Sequence, residues 1–138
     1  MPDLLDVQGL TAGYGEAVVL TGVTFKVAEG QALALLGRNG MGKTTLVNSI
    51  IGVTRHIGGT IGLDGRNITG LRPDERAHAG IGWVPQERNI FRSLTVEENM
   101  TAVARPGRWT LAKIYELFPR LAERRRNFGN QLSGGEQQ

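Results

Sequence analysis

The chain has 138 residues, of which 40% are hydrophobic and 21% are charged. This length and composition predict one globular domain and exclude a disordered or multi-domain chain. No apolar run approaches the roughly 20 residues that span a bilayer, and the acidic start is unlike a signal peptide. The lack of cysteine excludes disulfides and thiolate metal sites, and the two histidines are isolated. We therefore expect a cytosolic protein.

The net charge of +3 comes from the last third of the sequence. Residues 1–90 contain eight Lys/Arg and eight Asp/Glu, whereas residues 91–138 contain eight against five. Aromatic residues lie among these basic residues, as they do in many nucleic-acid-binding proteins. A modest excess of positive charge on a helical pattern is nevertheless more typical of a solvated face, so we expect no nucleic-acid partner.

The first part of the sequence predicts strands and one helix. Residues 4–7 begin a strand, and residues 23–27 alternate apolar and polar side chains, as a half-buried antiparallel strand does. Residues 32–36 form a continuous apolar run, which is typical of a strand covered on both faces. Residues 44–51 then predict a helix that ends at Gly52.

The middle and last parts predict two more strands and several short helices. Residues 60–63 predict a strand that enters a tight turn, and residues 81–86 predict a short buried strand stopped by its proline. The helical segments begin at Pro73, at the capping residue Thr95, near Leu111, and just before Leu121. Ser133 stands three residues before a glutamate, and this spacing predicts the start of another helix.

Residues 37–44 match the phosphate-binding loop pattern G-x-x-x-x-G-K-[ST]. Glycines allow successive backbone N–H groups to surround an anion, and the N-terminus of the following helix adds its dipole. Lys43 is predicted to reach the β- and γ-phosphates, and Thr44 to offer its hydroxyl to Mg²⁺. A buried strand before the loop and a helix after it favour this interpretation. The loop by itself is compatible with GTPases, kinases and ATPases.

Three further features resemble the ATP-binding-cassette (ABC) ATPases. Residues 132–138, Leu-Ser-Gly-Gly-Glu-Gln-Gln, resemble the signature motif of that family. Gln86, which follows Lys43 by 43 residues, lies where the family has its Q-loop glutamine. Tyr14, between two glycines, matches the aromatic residue that stacks on adenine. Because the matches occur in the family's order, the chain is identified as similar to an ABC ATPase.

The resemblance implies an α/β fold of the P-loop NTPase class. Its parts are an antiparallel β subdomain over 1–30, part of the RecA-like core over 31–90, and a helical subdomain with the start of the signature helix over 91–138. The sequence has no Walker B strand with Asp-Glu and no switch histidine after the signature. We therefore expect the N-terminal part of a longer domain, which does not hydrolyse ATP by itself. The strands at 32–36 and 81–84 each lack a neighbouring strand, so an ordered structure requires either a strand from another chain or a pairing of these two strands with each other.

The resemblance also implies ATP and Mg²⁺ as cofactors. The implied catalytic residues are Lys43 and Gln86, of which Gln86 contacts the attacking water and Mg²⁺. The implied metal contacts are Thr44 and Gln86. Nucleotide contacts are implied for Tyr14, Gly37, Asn39, Gly40, Gly42, Lys43, Thr44 and Thr45. In a head-to-tail dimer with a second ABC ATPase subunit, Ser133 and Gly135 contact the ATP of the partner.

Residues 115–121, 124–126 and 130–138 look like the shorter ATPase subunit of branched-chain amino acid importers. This implies a subunit peripheral to the cytoplasmic face of the inner membrane that couples ATP hydrolysis to uptake. A permease helix is expected in a groove near Gln86, Asn89, Phe91 and Leu94. The alternatives are an importer of urea or short amides, a non-transport ABC ATPase, and a nucleotide-binding module without catalysis.

Overall fold

The computed structural model describes residues 2–138. The chain forms two compact units, one that ends at Trp83 and one that comprises Val84–Gln138. Within its described residues, the first unit contains a four-stranded sheet and two α-helices, whereas the second contains four short α-helices and one 3₁₀ turn.

An antiparallel sheet builds the first unit, as the sequence predicts. Its strands are β1 (Asp3–Tyr14), β2 (Ala17–Ala28), β3 (Arg55–Leu63) and β4 (Arg66–Asn67), in the order β2-β1-β3-β4. A tight turn joins β3 to β4, and Asp64 and Gly65 there adopt φ values of 47° and 73°. Positive φ at both central positions is the conformation of a type I′ hairpin turn, which Asp-Gly favours.

The core of this unit lies between the sheet and the helix α1 (Lys43–Ile51), and a second helix, α2 (Pro73–Ala79), contacts α1. α1 starts within one residue of the predicted position and ends at Gly52, whose φ is 94°. The buried apolar side chains are Val7, Leu10, Ala12, Leu20, Leu46, Ile61 and Ile68. Burial of each large side chain of this kind contributes about 1.5–3 kcal/mol, so this cluster accounts for the docking of α1 on the sheet.

The predicted strands at 32–36 and 81–86 are wrong. Both segments have no regular secondary structure, and neither pairs with the four described strands or with the other segment. Most of their apolar side chains are exposed, to 88% at Leu36 and 70% at Val84, whereas Ile81 packs against the core. A strand forms only where a neighbouring strand receives its backbone hydrogen bonds, and these two segments have no such neighbour among residues 2–138.

The second unit contains α3 (Val96–Thr101), α4 (Leu111–Leu117), α5 (Pro119–Glu123) and α6 (Gly134–Gln137). The hydroxyl oxygen of Thr95 accepts from the N–H of Glu98 at 3.2 Å, as the capping spacing predicts. A 3₁₀ turn at Gly129–Gln131 was not evident from the sequence; the side chain of Gln131 accepts from the N–H of Phe128 at 2.8 Å. None of the helices across residues 2–138 has the length and apolar character of a membrane span.

Candidate nucleotide-binding site

The loop over 37–42 leads directly into α1 and contains two glycines in left-handed conformations. Gly40 and Gly42 adopt φ values of 83° and 93°, a left-handed region that other residues rarely enter. Space is also restricted at Gly42, because a Cβ there would lie 3.0 Å from Leu20 Cδ2 and 3.4 Å from Val19 Cγ1. The backbone conformation therefore favours glycine at Gly40 and at Gly42, the second glycine of the sequence pattern.

The Lys43 side chain folds back onto the first residues of the loop, so that the loop surrounds its ammonium group. Its Nζ donates to the carbonyl oxygens of Gly37 at 2.7 Å and Arg38 at 2.8 Å. One of the three N–H donors of the ammonium is left for another acceptor. The first turn of α1, which lies wholly within the described residues, contains no acidic side chain that would neutralise the helix dipole. The loop thus combines a full positive charge with the positive end of a nine-residue helix.

The two threonines that follow differ in exposure. Thr44 is exposed, whereas Thr45 is buried and its carbonyl accepts from Ser49 Oγ at 2.7 Å. Asn39 is exposed in the loop. Across residues 2–138 no group of three or more His, Asp or Glu side chains is placed to hold a metal. The Thr44 hydroxyl, together with phosphate oxygens, suits the oxygen ligands that Mg²⁺ prefers.

Tyr14 ends β1 and is connected to the same helix. The two-residue turn of Gly15 and Glu16 follows it, and its side chain is 44% exposed. The side-chain amide of Asn48, in α1, donates to the Tyr14 hydroxyl at 3.0 Å. The structure therefore links the predicted base-stacking residue to the helix that begins at Lys43.

Asn48 was missed in the sequence analysis. Asparagine is an unfavourable residue inside a helix because its side chain competes for backbone hydrogen bonds. The polar pair Asn48-Ser49 within the apolar stretch of a predicted helix was the signal that could have drawn attention to a side-chain contact. Arg55 was missed as well. Its guanidinium donates to the Gly15 carbonyl and lies 3.7 Å from the Glu16 carboxylate, so it holds the turn after Tyr14.

The remaining predicted site residues lie in the second unit. The Ser133 hydroxyl accepts from the N–H of Glu136 at 3.4 Å, while the Glu136 carboxylate accepts from the N–H of Ser133 at 3.3 Å. This reciprocal capping starts α6, as predicted. Gly135 is exposed, and no atom would lie within 4 Å of a Cβ there. Gln86 is exposed too, in a cleft of about 370 Å³ that Arg88 and Gln137 also line.

The segment that carries Gln86 contacts α6 at two points. The Gln138 side-chain amide donates to the carbonyl of Pro85 at 3.0 Å. The Arg88 guanidinium packs against Gly134 so closely that a Cβ there would lie 2.6 Å from Nη2. The structure thus assembles the predicted residues in two groups, with Tyr14 and the loop in the first unit and Gln86 with the signature residues in the second.

Two of the predicted permease-groove residues line a second cleft in this unit, of about 370 Å³. They are Asn89 and Phe91, and the Phe91 side chain is 58% exposed. The backbone of this segment is fixed by Asn99, which exchanges hydrogen bonds with the N–H and carbonyl of Phe91 at 2.8 and 2.9 Å. Leu94 is half-buried, and its carbonyl accepts from the N–H of Gly129 at 2.8 Å.

Comparison with known proteins places the chain among the ATP-binding proteins of ABC transporters. A family model described as "ABC transporter" matches residues 20–138. The chain is 42% identical over 103 residues to the lipopolysaccharide export system ATP-binding protein LptB of Acidithiobacillus ferridurans, a match that covers 75% of this chain and 43% of LptB. It is 35% identical over 143 residues to the high-affinity branched-chain amino acid transport ATP-binding protein BraG of Pseudomonas aeruginosa, covering 98% of this chain and 60% of BraG.

The fold is similar to that of solved proteins. A structure described as the ATP-binding subunit of an ABC transporter superposes with a TM-score of 0.78 at 31% identity, and the match covers 97% of this chain and 58% of that one. The chain therefore spans about half the length of the relatives it matches, between 43% and 60%.

Proposed function

Because the chain belongs to the ABC transporter family, a class of ATP-hydrolysing enzymes, we propose that it binds ATP with Mg²⁺ as the ATP-binding part of a transporter. One observation carries this proposal. The loop over 37–42 needs glycine in left-handed conformations and surrounds the Lys43 ammonium at the start of α1. This arrangement offers backbone N–H groups, a cation and a helix dipole to one polyphosphate.

Each residue of the loop has a proposed role. Gly37, Asn39, Gly40 and Gly42 give the chain the curvature that turns backbone N–H groups toward the phosphates. Lys43 donates to the β- and γ-phosphate oxygens, and Thr45, whose side chain is buried, contributes through its backbone N–H. Thr44 would supply a hydroxyl ligand to Mg²⁺, and the bound ion would supply positive charge to the phosphates.

Dependence on Mg²⁺ tests this assignment. Replacing the Thr44 hydroxyl, Thr44→Val, should remove a metal ligand while leaving the phosphate contacts of the loop in place. We expect wild-type ATP affinity to fall in EDTA and the affinity of the variant to respond much less to Mg²⁺. Thr60→Val, at an exposed strand position, is the matched control. Equal responses to Mg²⁺ in all three proteins would contradict the role of Thr44.

We propose that Ser133 and Gly135 contact the ATP held by Lys43 of a second ABC ATPase subunit, and that Gln86 contacts water and Mg²⁺ in catalysis. The structure supplies a means of testing the signature, because a side chain at Gly135 would meet open space. Gly135→Asp should oppose phosphate binding by charge alone, and Gly135→Ala should be tolerated. Sedimentation with and without Mg-ATP should show that the wild-type chain self-associates when Mg-ATP is present. Gly135→Asp should abolish this self-association, and Gly135→Ala should preserve it.

For the transported substrate we propose branched-chain amino acids. The support is the motif resemblance together with the alignment to BraG over 98% of the chain. Lipopolysaccharide export is the second candidate, because the chain is more similar in sequence to LptB than to BraG. The alignment to LptB, however, covers only 75% of the chain. Cells from which the gene is deleted should lose uptake of labelled leucine and retain lipopolysaccharide export. The opposite result would select the second candidate.

We further propose that the partner is an integral-membrane permease and that this chain lies at the cytoplasmic face of the membrane. The exposed Phe91 in the cleft of the second unit suits an apolar contact with a short permease helix. Phe91→Asp should reduce co-purification of the permease and leave ATP binding unchanged. Trp109→Asp, another exposed aromatic position in the same unit, controls for the introduced charge.

A further inference from the structure

We propose that Asn48 is a positioning residue for the nucleobase, which acts by holding the Tyr14 ring at a fixed place relative to the phosphate loop. The proposal rests on the proposed function, because it requires ATP in the loop and its base on Tyr14. It concerns a residue outside the phosphate-binding pattern, in the second half of α1.

The hydrogen bond between the two residues joins separate elements of the first unit. Tyr14 is the last residue of β1, and Asn48 lies in α1, 34 positions later. The amide Nδ2 of Asn48 lies 3.0 Å from the Tyr14 hydroxyl oxygen, which is the distance of an ordinary hydrogen bond. Asn48 itself is half-buried, while Tyr14 is exposed. A long aromatic side chain at the end of a strand is thereby attached to a rigid helix.

The hydrogen bond from Asn48 to Tyr14 fixes how far the Tyr14 ring lies from Lys43 along α1. Asn48 follows Lys43 by five residues, which corresponds to about 7.5 Å along the axis of an α-helix. Lys43 marks the polyphosphate end of the site, and Asn48 fixes the hydroxyl end of the Tyr14 ring. The separation between a stacking surface and a phosphate loop determines which ligands reach both at once. Asn48 therefore favours a nucleotide over a free polyphosphate or a free base.

Two other contacts hold the same region, so the hydroxyl of Tyr14 is the part that depends on Asn48. Arg55 donates to the carbonyl of Gly15 and fixes the backbone of the turn. The strand before Tyr14 is paired on both sides, because Gly13 lies opposite Val18 of β2 and Arg55 of β3. The backbone before and after Tyr14 is thus secured without Asn48. Loss of the amide should free the ring to rotate and leave the hairpin intact.

A freed ring binds a base less tightly, because ordering it then costs conformational entropy at the moment of binding. Loss of one such hydrogen bond should weaken ATP binding about three- to tenfold. Inorganic tripolyphosphate has no base to place on Tyr14. Its affinity should not depend on Asn48, and this difference separates positioning from simple damage to α1.

The test measures the affinities of ATP and of inorganic tripolyphosphate, each with Mg²⁺, by equilibrium titration of the 138-residue chain. The variants are Asn48→Ala, Tyr14→Phe and the two combined, with Val47→Ala on the same helix as the matched control. We expect both single variants to lose ATP affinity and to keep tripolyphosphate affinity. The double variant should lose no more than the larger single effect, because both changes remove the same hydrogen bond.

Three results would overturn the proposal in distinguishable ways. If Asn48→Ala weakens ATP and tripolyphosphate equally, Asn48 supports the helix and does not position the base. If Asn48→Ala leaves ATP affinity unchanged while a further variant that removes the ring, Tyr14→Ala, reduces it, the base stacks on Tyr14 without help from Asn48. If the wild-type chain binds neither ligand, the proposed nucleotide site is wrong, and the role of Asn48 is wrong with it.

Discussion

The Arg76 guanidinium lies against Gly52, the residue that ends α1, so closely that a Cβ at Gly52 would be 2.9 Å from Nε. Arg76 is the one charged side chain that is buried among the described residues, with 4% exposure. Its donors reach four backbone oxygens, those of Ser49, Ile50, Thr69 and Leu71. Burial lowers the pKa of the guanidinium, but Arg76 remains charged at neutral pH. The side chain therefore closes the carbonyl end of α1, the helix whose other end follows the loop over 37–42.

Arg76→Met should destabilise the first unit by about 2–4 kcal/mol, because it leaves buried carbonyl oxygens without donors. Hydrogen exchange of the α1 backbone amides in urea would measure the change. Arg72→Met is the matched control, since Arg72 is exposed and contacts Asp74 and Glu75 only at the surface. We expect the control to cost less than about 1 kcal/mol. Equal effects of the two changes would contradict the structural role of Arg76.

Lys43→Ala should weaken ATP binding at least tenfold. The change removes a cation whose hydrogen bonds to phosphate are each worth about 1.5–3 kcal/mol. Titration of ATP into the folded variant is the measurement. Lys26→Ala removes the same charge elsewhere in the unit, where the ammonium lies 2.7 Å from Asp3. Unchanged affinity in Lys43→Ala, or a loss of similar size in Lys26→Ala, would argue against the loop as the phosphate site.

Tyr14→Ala should weaken ATP, ADP and GTP by similar factors. An aromatic ring recognises the face of a base and does not distinguish the polar edges that differ between adenine and guanine. Loss of one stacking contact is worth about 1–3 kcal/mol, or roughly five- to 150-fold in affinity. Competition titrations with the three nucleotides would show whether the factors agree. A loss confined to adenine nucleotides would point to hydrogen-bond recognition instead.

The capping interaction at the start of α3 predicts a dependence on pH. The backbone N–H and the hydroxyl of Thr95 both donate to the Glu98 carboxylate. These hydrogen bonds lower the pKa of Glu98, and the bond from the N–H has the larger effect. A lowered pKa in the folded state contributes stability above the ordinary pKa of glutamate, and this contribution is lost as the pH falls through the folded-state value. As the pH falls below the ordinary glutamate pKa of about 4.3 and through the lower folded-state pKa, wild type should therefore lose protection of the α3 amides.

Glu98→Gln is the control for this dependence, because its amide oxygen accepts the same hydrogen bonds but does not titrate. Hydrogen exchange of α3 in the two proteins should converge at low pH and differ near neutral pH, where only the wild type carries the charge. A wild-type profile parallel to that of Glu98→Gln would assign the acid sensitivity to other carboxylates.

Local features of the sequence were sufficient for several parts of the fold. The glycine and lysine spacing around Lys43, the capping residues Thr95 and Ser133, and the Asp-Gly turn after β3 all act over a few neighbouring positions. Backbone conformation and side-chain caps at this range depend on the identity of the residues themselves. For that reason the sequence alone was enough to place the glycine-containing loop over 37–42 and the helices that border the predicted sites.

Tertiary structure decided what depends on partners distant in the chain. The apolar run at 32–36 had the pattern of a buried strand, yet a strand also needs a neighbour, and no hydrophobic pattern specifies which segment supplies it. Burial of Arg76 against Gly52 and the bond from Asn48 to Tyr14 join residues 24 and 34 positions apart. Such contacts follow from how the helices lie on the sheet, because only packing brings a side chain to a partner that its own sequence neighbourhood does not contain.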